Sequence, residues 1–226
     1  MDTGPRLLSA FFLFCLCLFL AAATEAMAGA PTQAAEPDPV EQATGLKKLT
    51  GARFIPDLKY AGTDNFLGKD VYTPFGLDAC YVHPEAHERL MRLVPFLEKE
   101  NMRLVLYDCY RPLEVQKAMW EILPDGRYVA DPAKGSLHNR GVAVDCALAD
   151  EGGTPLEFPT PFDSFSEQAW QSYACPAENP VPCRNREKLN ALMRSAGFMT
   201  IRTEWWHFQL PGAKKYPLLP LEGDAR

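Results

Sequence analysis

The first 45 residues constrain the fold most, because their composition excludes them from a globular core and so limits the folded domain to the rest of the chain. An apolar run at 7–23 follows Arg6 and leads into an A-x-A pattern at 26–28. A charged start, a short apolar centre and a small-residue exit are typical of a secretory signal peptide. The run is at the short limit for spanning a bilayer, which makes an uncleaved anchor the weaker alternative. We expect residues 1–28 to be a signal peptide and the protein to be exported, periplasmic or secreted, with no stable membrane span after cleavage.

The next segment, residues 29–45, is rich in Ala, Pro, Gln, Thr and Glu and has almost no large apolar side chain. Such a segment cannot bury enough surface to order itself, so we predict a disordered linker. Residues 46–226 remain, and about 180 residues are enough for one domain with its own core. The formal net charge is −6, and no basic patch suggests a nucleic-acid partner.

Helical and strand patterns are mixed in this domain without a regular βαβ rhythm, which predicts the α+β class. Apolar residues at helical spacing predict three helices, and β-branched, apolar or aromatic runs predict three strands. The predicted helices are Pro84–Lys99, Pro112–Ile122 and Arg184–Ala196, and the predicted strands are Arg103–Tyr107, Val142–Leu148 and Glu204–Leu210.

Five cysteines follow the signal segment, and an odd number in an oxidising compartment leaves at least one thiol outside any intramolecular disulfide. Cys175 and Cys183 bracket a short loop stiffened by prolines, which predicts a disulfide between them. Cys146 should be buried on the strand face opposite Asp145. The pairing of Cys80, Cys109 and Cys146 is left open. No CxxC pair occurs, which argues against a cysteine-based zinc finger.

Two segments place a histidine among other reactive side chains: 136–145 (SLHNRGVAVD) and 204–207 (EWWH). His138, Asp145 and His207 would supply two imidazoles and one carboxylate. Three such ligands leave the fourth position of a zinc ion open, which is the arrangement of a catalytic site. The sequence therefore predicts one catalytic zinc ion per chain.

A zinc peptidase also needs a base and a positive group for the developing oxyanion. Glu204 is close in sequence to His207 and suits the first role, whereas Arg111 carries a permanent charge on a rigid fork and suits the second. In a regular strand Glu204 and His207 would face opposite sides. Either a bend or bulge lies near Trp205, or Glu204 precedes the strand.

His83 and His87 form a rival pair, separated by one helical turn. No glutamate directly follows His83, so the HExxH pattern of many zinc peptidases is absent. Glu85 and Glu88 surround the pair and resemble a solvated helix face. We therefore interpret both histidines as surface residues rather than as metal ligands.

These segments, with 108–112 (DCYRP), resemble the D-Ala-D-Ala dipeptidase family, which includes the dipeptidases of vancomycin resistance. That family shares a fold with zinc D,D-carboxypeptidases and the hedgehog signalling domain. The resemblance covers about residues 46–210 and implies a single domain with a small mixed or antiparallel sheet and flanking helices. Further matches are Lys59-Tyr60-Ala61, Asp64-Asn65-Phe66, Gly68, Met119-Trp120, Pro124-Asp125, Tyr128-Val129-Ala130, Phe162-Asp163 and Ala196-Gly197-Phe198.

The resemblance implies a zinc enzyme that hydrolyses D-Ala-D-Ala to free D-alanine, so that the partner is a small dipeptide. His138, Asp145 and His207 would bind zinc, Glu204 would activate the zinc-bound water, and zinc and Arg111 would stabilise the oxyanion. The substrate-binding group would be Tyr60, Asp108, Ser136 and Asp163. Within it, Tyr60 and Asp163 would hold the substrate's ammonium group and Asp108 would orient Arg111.

Two other functions remain open at this point. One is a D,D-carboxypeptidase or endopeptidase that acts on peptidoglycan stem peptides. The other is a zinc-stabilised binding domain without catalysis, against which Glu204 and Arg111 argue. Many relatives carry a Ser-His pair soon after the Phe-Asp motif, whereas here Ser166 is followed by Glu167. The rim of the site is therefore expected to differ from theirs.

Overall fold

The computed structural model describes residues 38–221. The predicted signal peptide and the first part of the predicted linker lie outside these residues. Within them the α-helices are α1 Pro39–Thr44, α2 Pro84–Met91, α3 Val94–Lys99, α4 Leu113–Ile122 and α5 Val181–Ser195. The strands are β1 Lys47–Lys48, β2 Phe54–Pro56, β3 Tyr81–Val82, β4 Met102–Asp108, β5 Ala143–Asp150, β6 Met199–Thr200 and β7 His207–Gln209.

The main sheet has five strands in the order β2-β4-β5-β7-β6. Strand β2 pairs with β4 in parallel, and the other neighbours are antiparallel. A second, two-stranded sheet joins β1 to β3. The predicted α+β class and the small mixed sheet are confirmed.

The centre of the main sheet is covered on both faces. Leu104 and Leu148, which pair across β4 and β5, are fully buried, and so is Val105 on the opposite face of β4. Helix α3 packs on β4, and α5 packs on β5 and β6. Burial on both faces gives these two strands the apolar character by which the sequence marks them.

The predicted linker is wrong at its C-terminal end, because residues 38–45 are ordered. Asp38 accepts hydrogen bonds from the backbone N–H groups of Val40 (2.9 Å) and Glu41 (3.2 Å) and so caps α1. Gly45 ends the helix with a φ of 72°. Val40 is buried, and the hydroxyl of Tyr81 donates to Asp38 at 2.8 Å. Helix α1 is also tied to β1, since the N–H of Lys48 donates to Oε1 of Glu41 at 2.8 Å.

The predicted helix at 84–99 is two helices, α2 and α3, which are separated at Arg92 and Leu93. Pro95 lies in the first turn of α3, where its missing N–H leaves no hydrogen bond unmade. The predicted helices at 112–122 and 184–196 correspond to α4 and α5.

Two disulfides are present within the described residues. Cys175 pairs with Cys183, as predicted, and Cys80 pairs with Cys109. Cys146 is a free thiol on β5 and is fully buried, in agreement with its predicted position.

Among residues 38–221, no helix has both the length and the apolar character required to cross a membrane.

Candidate active site

Three side chains converge at the junction of β5 and β7. The antiparallel register places Asp145 directly opposite His207, and His138 comes from the 3₁₀ turn that precedes β5. All three are buried, and one ligand atom from each lies within 4.8 Å of the others. The Nδ1 atom of His207 is 2.9 Å from Oδ1 of Asp145 and 3.2 Å from Nε2 of His138, and that Nε2 is 3.3 Å from the same Oδ1.

These distances suit a metal ion of tetrahedral preference. Ligands bonded to zinc at 2.0–2.2 Å in a tetrahedron lie about 3.3–3.6 Å apart, close to the separations between these three atoms. Two imidazoles and a carboxylate are also a donor set that zinc accepts in catalytic sites. The residues present therefore fit a zinc ion.

The second ring nitrogen of each histidine is held by a partner outside the triad. Nδ1 of His138 is 2.8 Å from the carbonyl oxygen of Cys109, and Nε2 of His207 is 3.2 Å from Oε1 of Gln209. Because these oxygens accept hydrogen bonds from the ring N–H groups, Nε2 of His138 and Nδ1 of His207 are left free to ligate. These are the two atoms that face each other.

Gly141 makes the turn between His138 and β5 possible. Its φ of 64° lies in the left-handed region, and a Cβ there would clash with Leu46. The chain can therefore turn within three residues of His138 and enter β5, which carries Asp145 to the same site.

Glu204 lies beside the triad, with Oε2 3.8 Å from Nδ1 of His207. Strand β7 begins only at His207, so Glu204 precedes the strand and the period of two does not separate the two side chains. Both alternatives left by the sequence hold, since Glu204 precedes the strand and the chain bends at Trp205 and Trp206. Burial raises the pKa of Glu204, against the lowering effect of His207. A carboxyl group with a raised pKa is suited to accept a proton.

Arg111 is buried and tightly held. Its Nε donates to Oδ2 of Asp108 at 3.0 Å, Nη2 donates to the same oxygen, and Nη1 donates to Oε1 of Gln116 at 2.8 Å. Burial alone would lower the pKa of Arg111, but Asp108 raises it, so the positive charge is retained. Asp108 is fully buried behind Arg111 and, unlike the other predicted substrate-binding residues, does not line the cavity. It positions the arginine.

Tyr60 and Asp163 meet on another side of the cavity. The hydroxyl of Tyr60 donates to Oδ2 of Asp163 at 2.8 Å. Asp163 has a φ of 58°, a strained value for a residue other than glycine. Burial raises its pKa to about 7, partly offset by the hydrogen bond from Tyr60. A buried carboxylate with one neutral partner is a good acceptor for a cation.

One cavity of about 720 Å³ connects these groups. Ser136 lines it, and its Oγ accepts a hydrogen bond from the backbone N–H of His138 at 3.2 Å. At the rim, Phe165 contacts Phe66 and Tyr128 edge-on or tilted, with ring centroids 5.2 and 5.1 Å apart. Most of the predicted site residues thus surround one space: Tyr60, Arg111, Ser136, His138, Asp145, Asp163, Glu204 and His207.

Several supporting residues were not found from the sequence. Tyr72 donates to Asp108 through its hydroxyl, and Gln116 and Gln209 hold Arg111 and His207. Asn139 links two site segments, since its Oδ1 accepts from the N–H of Ser136 (2.6 Å) and its Nδ2 donates to the carbonyl of Arg111 (2.7 Å). Only Asn139 and Gln209 carried a sequence signal, because each lies within two residues of a predicted ligand.

The rival histidines have another role. Nδ1 of His83 accepts a hydrogen bond from the N–H of Glu85 at 3.2 Å and caps α2. Its ring also packs edge-on against Tyr216. Both His83 and His87 are half-buried on or beside α2, and neither belongs to the described triad.

Comparison with known proteins agrees with this geometry. The family model described as D-ala-D-ala dipeptidase matches residues 46–220. The chain is 40% identical over 163 residues to D-alanyl-D-alanine dipeptidase of Escherichia coli K12, an alignment that covers 72% of this chain and 82% of that protein. It is 26% identical over 188 residues to D-alanyl-D-alanine dipeptidase of Enterococcus faecalis, which covers 72% of this chain and 87% of that protein.

Fold, triad and neighbouring carboxylate together define a metal-dependent peptidase. The chain belongs to the D-ala-D-ala dipeptidase family.

Proposed function

We propose that this protein is an exported zinc dipeptidase that hydrolyses D-Ala-D-Ala to two molecules of D-alanine. The observation that carries the proposal is the shared cavity. It brings the triad of His138, Asp145 and His207 together with Glu204 and with a buried carboxylate, Asp163. A metal site alone would suit many hydrolases, whereas the second carboxylate suits a substrate with a free amino group close to the scissile bond.

Zinc is the metal proposed for the triad. A bound zinc ion would activate water and polarise the scissile carbonyl as a Lewis acid. His138, Asp145 and His207 would hold it, with Cys109 and Gln209 fixing the two rings. Such outer partners orient the ligands and raise their basicity.

Glu204 is the proposed proton carrier. Its raised pKa allows Oε2 to take a proton from the attacking water and to pass it to the nitrogen of the leaving D-alanine. Arg111 is held by Asp108 and Gln116, so its charge needs no reorganisation as the carbonyl oxygen becomes negative. Glu204 would thus transfer the proton, and Arg111 would stabilise the negative charge on the carbonyl oxygen.

Asp163 is proposed to restrict the length of the substrate. Its carboxylate, supported by Tyr60, would pair with the ammonium group of a free dipeptide. A longer peptide has an uncharged amide at that place and would leave the buried carboxylate without a cationic partner. This argument favours a dipeptidase over the carboxypeptidase or endopeptidase alternative.

Export is proposed from the N-terminal sequence pattern, residues 1–28. Two cysteine pairs, Cys80–Cys109 and Cys175–Cys183, support this location, because disulfides persist in oxidising compartments.

The test uses the chain from residue 29 onward, purified and analysed for bound metal. Its kcat/KM is measured with D-Ala-D-Ala, L-Ala-L-Ala, N-acetyl-D-Ala-D-Ala and a stem pentapeptide, before and after chelation and after addition of zinc. We expect zinc-dependent cleavage of D-Ala-D-Ala and slow cleavage of both longer substrates. Faster cleavage of the pentapeptide would establish the carboxypeptidase alternative, and metal-independent cleavage would refute the zinc mechanism.

A further inference from the structure

The Cys80–Cys109 disulfide lies directly behind the candidate metal centre. Cys109 is both a disulfide partner and the residue whose carbonyl oxygen holds Nδ1 of His138 at 2.8 Å. Its neighbour Asp108 orients Arg111, which follows Asp108 by three residues. The disulfide is therefore attached at Cys109, whose own carbonyl orients His138 and whose neighbour Asp108 orients Arg111.

The segment that carries Cys109 has left the regular sheet. Strand β4 ends at Asp108, and its pairing with β5 is already irregular between Leu106 and Asp108. Two ties then connect the segment to β3. They are the disulfide to Cys80 and a backbone hydrogen bond from the N–H of Tyr110 to the carbonyl of Tyr81, at 3.0 Å.

Cys80 is itself firmly anchored. It immediately precedes β3, and its carbonyl accepts a hydrogen bond from the N–H of Leu49 at 2.8 Å. Both half-cystines are only 1% exposed. The disulfide therefore joins the second, two-stranded sheet to the segment that supports His138.

We propose that the Cys80–Cys109 disulfide is a positioning element of the metal centre. It holds the Cys109 carbonyl against His138 and thereby fixes which nitrogen of that ring faces the metal. This inference rests on the proposed function for its catalytic consequence, but the metal affinity can be measured without any substrate. It also implies that the site reaches full metal affinity only after oxidation, so that the chain gains activity in the compartment to which it is exported.

The oxidation itself is ordinary thiol–disulfide exchange with a disulfide-bearing oxidant. The thiolate of one cysteine attacks the oxidant and displaces one of its sulfurs as a thiolate. The thiolate of the other cysteine then attacks the mixed disulfide and displaces the second. Cys80 and Cys109 together lose two protons and two electrons, and the oxidant leaves reduced as two thiols.

The second disulfide is the matched control. Cys175 and Cys183 are also linked, the N–H of Cys175 donates to Sγ of Cys183 at 3.1 Å, and that sulfur lies 3.6 Å from the carbonyl oxygen of Tyr173. None of these is a residue of the cavity. Removal of this disulfide leaves the domain with one disulfide fewer but does not change the residues that support His138.

The experiment compares two double variants, Cys80→Ala with Cys109→Ala and Cys175→Ala with Cys183→Ala. Zinc affinity is measured by competition with a chromogenic chelator at a temperature at which circular dichroism shows both variants folded. We expect zinc affinity about 10- to 100-fold weaker in the first variant, as for other outer partners of metal ligands, and within about twofold of wild type in the second. Equal zinc affinity in the two folded variants overturns the proposal.

A second preparation covers the case in which the first variant does not fold. The Cys175→Ala, Cys183→Ala protein is unfolded, reduced and refolded either with reduced or with oxidised glutathione. Weaker zinc binding by the folded reduced form supports the proposal. Equal binding overturns it, and so does failure of the reduced form to fold, because the disulfide would then serve the whole domain. If the oxidised protein binds zinc but does not cleave D-Ala-D-Ala, the proposed function fails while the positioning result stands.

Discussion

Two walls of the same cavity are built in different ways. The metal wall consists of His138, Asp145 and His207, which lie on or beside paired strands and are all buried. The second wall, called the amine wall after its proposed ligand, consists of Tyr60 and Asp163, which lie on a 3₁₀ turn and in a loop. Strand pairing places Asp145 opposite His207 in the first wall, whereas a side-chain hydrogen bond of 2.8 Å joins the two residues of the second.

The difference separates chemistry from selectivity. Ligands of a metal must agree in position within a fraction of an ångström, and strand register provides that precision. A residue that recognises an ammonium group needs only charge and approximate distance, which a loop supplies. Changes in the metal wall should therefore abolish the reaction, whereas changes in the amine wall should alter which substrates are accepted.

The largest effect is expected for His207→Ala in the metal wall. Loss of one of three ligands should remove stoichiometric zinc and reduce D-Ala-D-Ala cleavage below detection. Zinc is measured by atomic absorption beside the activity assay. His87→Ala changes a half-buried helical histidine outside the triad and serves as control. Full zinc and full turnover in the His207 variant would remove this residue from the site.

A smaller but still large effect is expected for Glu204→Gln. Glutamine retains the shape but cannot carry the proton, so kcat should fall by about 10²-fold or more while zinc remains bound. The exposed Glu88→Gln is the matched control. Near-normal kcat would show that another group moves the proton.

In the amine wall, Asp163→Ala should change selectivity more than catalysis. The lost charge-assisted pair is worth about 1.5–3 kcal/mol, so kcat/KM for the free dipeptide should fall about 10- to 100-fold. Cleavage of N-acetyl-D-Ala-D-Ala should change less, because that substrate has no ammonium group. The measurement is the ratio of the two kcat/KM values in wild type and variant. An unchanged ratio would show that Asp163 does not determine substrate selectivity.

The last expected effect concerns stability rather than activity, and it is a pH-dependent change in the free energy of unfolding for Asp163→Asn. Burial raises the pKa of Asp163 from 3.8 to about 7 in the folded protein. Between these values the folded state binds a proton that the unfolded state does not, so wild type loses stability as the pH rises. Asparagine cannot ionise and keeps an oxygen for the Tyr60 hydroxyl.

In metal-free protein, the free energy of unfolding of the variant should therefore rise relative to wild type from about pH 4 to about pH 7 and then level off. Urea unfolding at a series of pH values, with chelator present, measures it. A constant difference between the two proteins across this range would contradict the raised pKa.

Much of the fold could be predicted because local patterns coincide with tertiary burial. The apolar runs of β4 and β5 and the stripe on α5 mark elements whose residues are buried in the domain. Boundaries were less accurate. Helix α1 was assigned to the linker because its single buried side chain, Val40, is too weak a signal in an Ala- and Pro-rich segment.

The sequence by itself indicated the candidate reactive residues: His138, Asp145, Glu204 and His207 stand in short segments with few competing histidines in the chain. It also indicated the Cys175–Cys183 loop, which spans only eight residues. Only the tertiary structure decided that Glu204 lies before β7, that Cys80 pairs with Cys109, and that Tyr72 and Gln116 support Asp108 and Arg111. Those contacts join segments whose relation depends on strand register and turns, because a local pattern specifies which face a side chain occupies but not which distant segment packs against it.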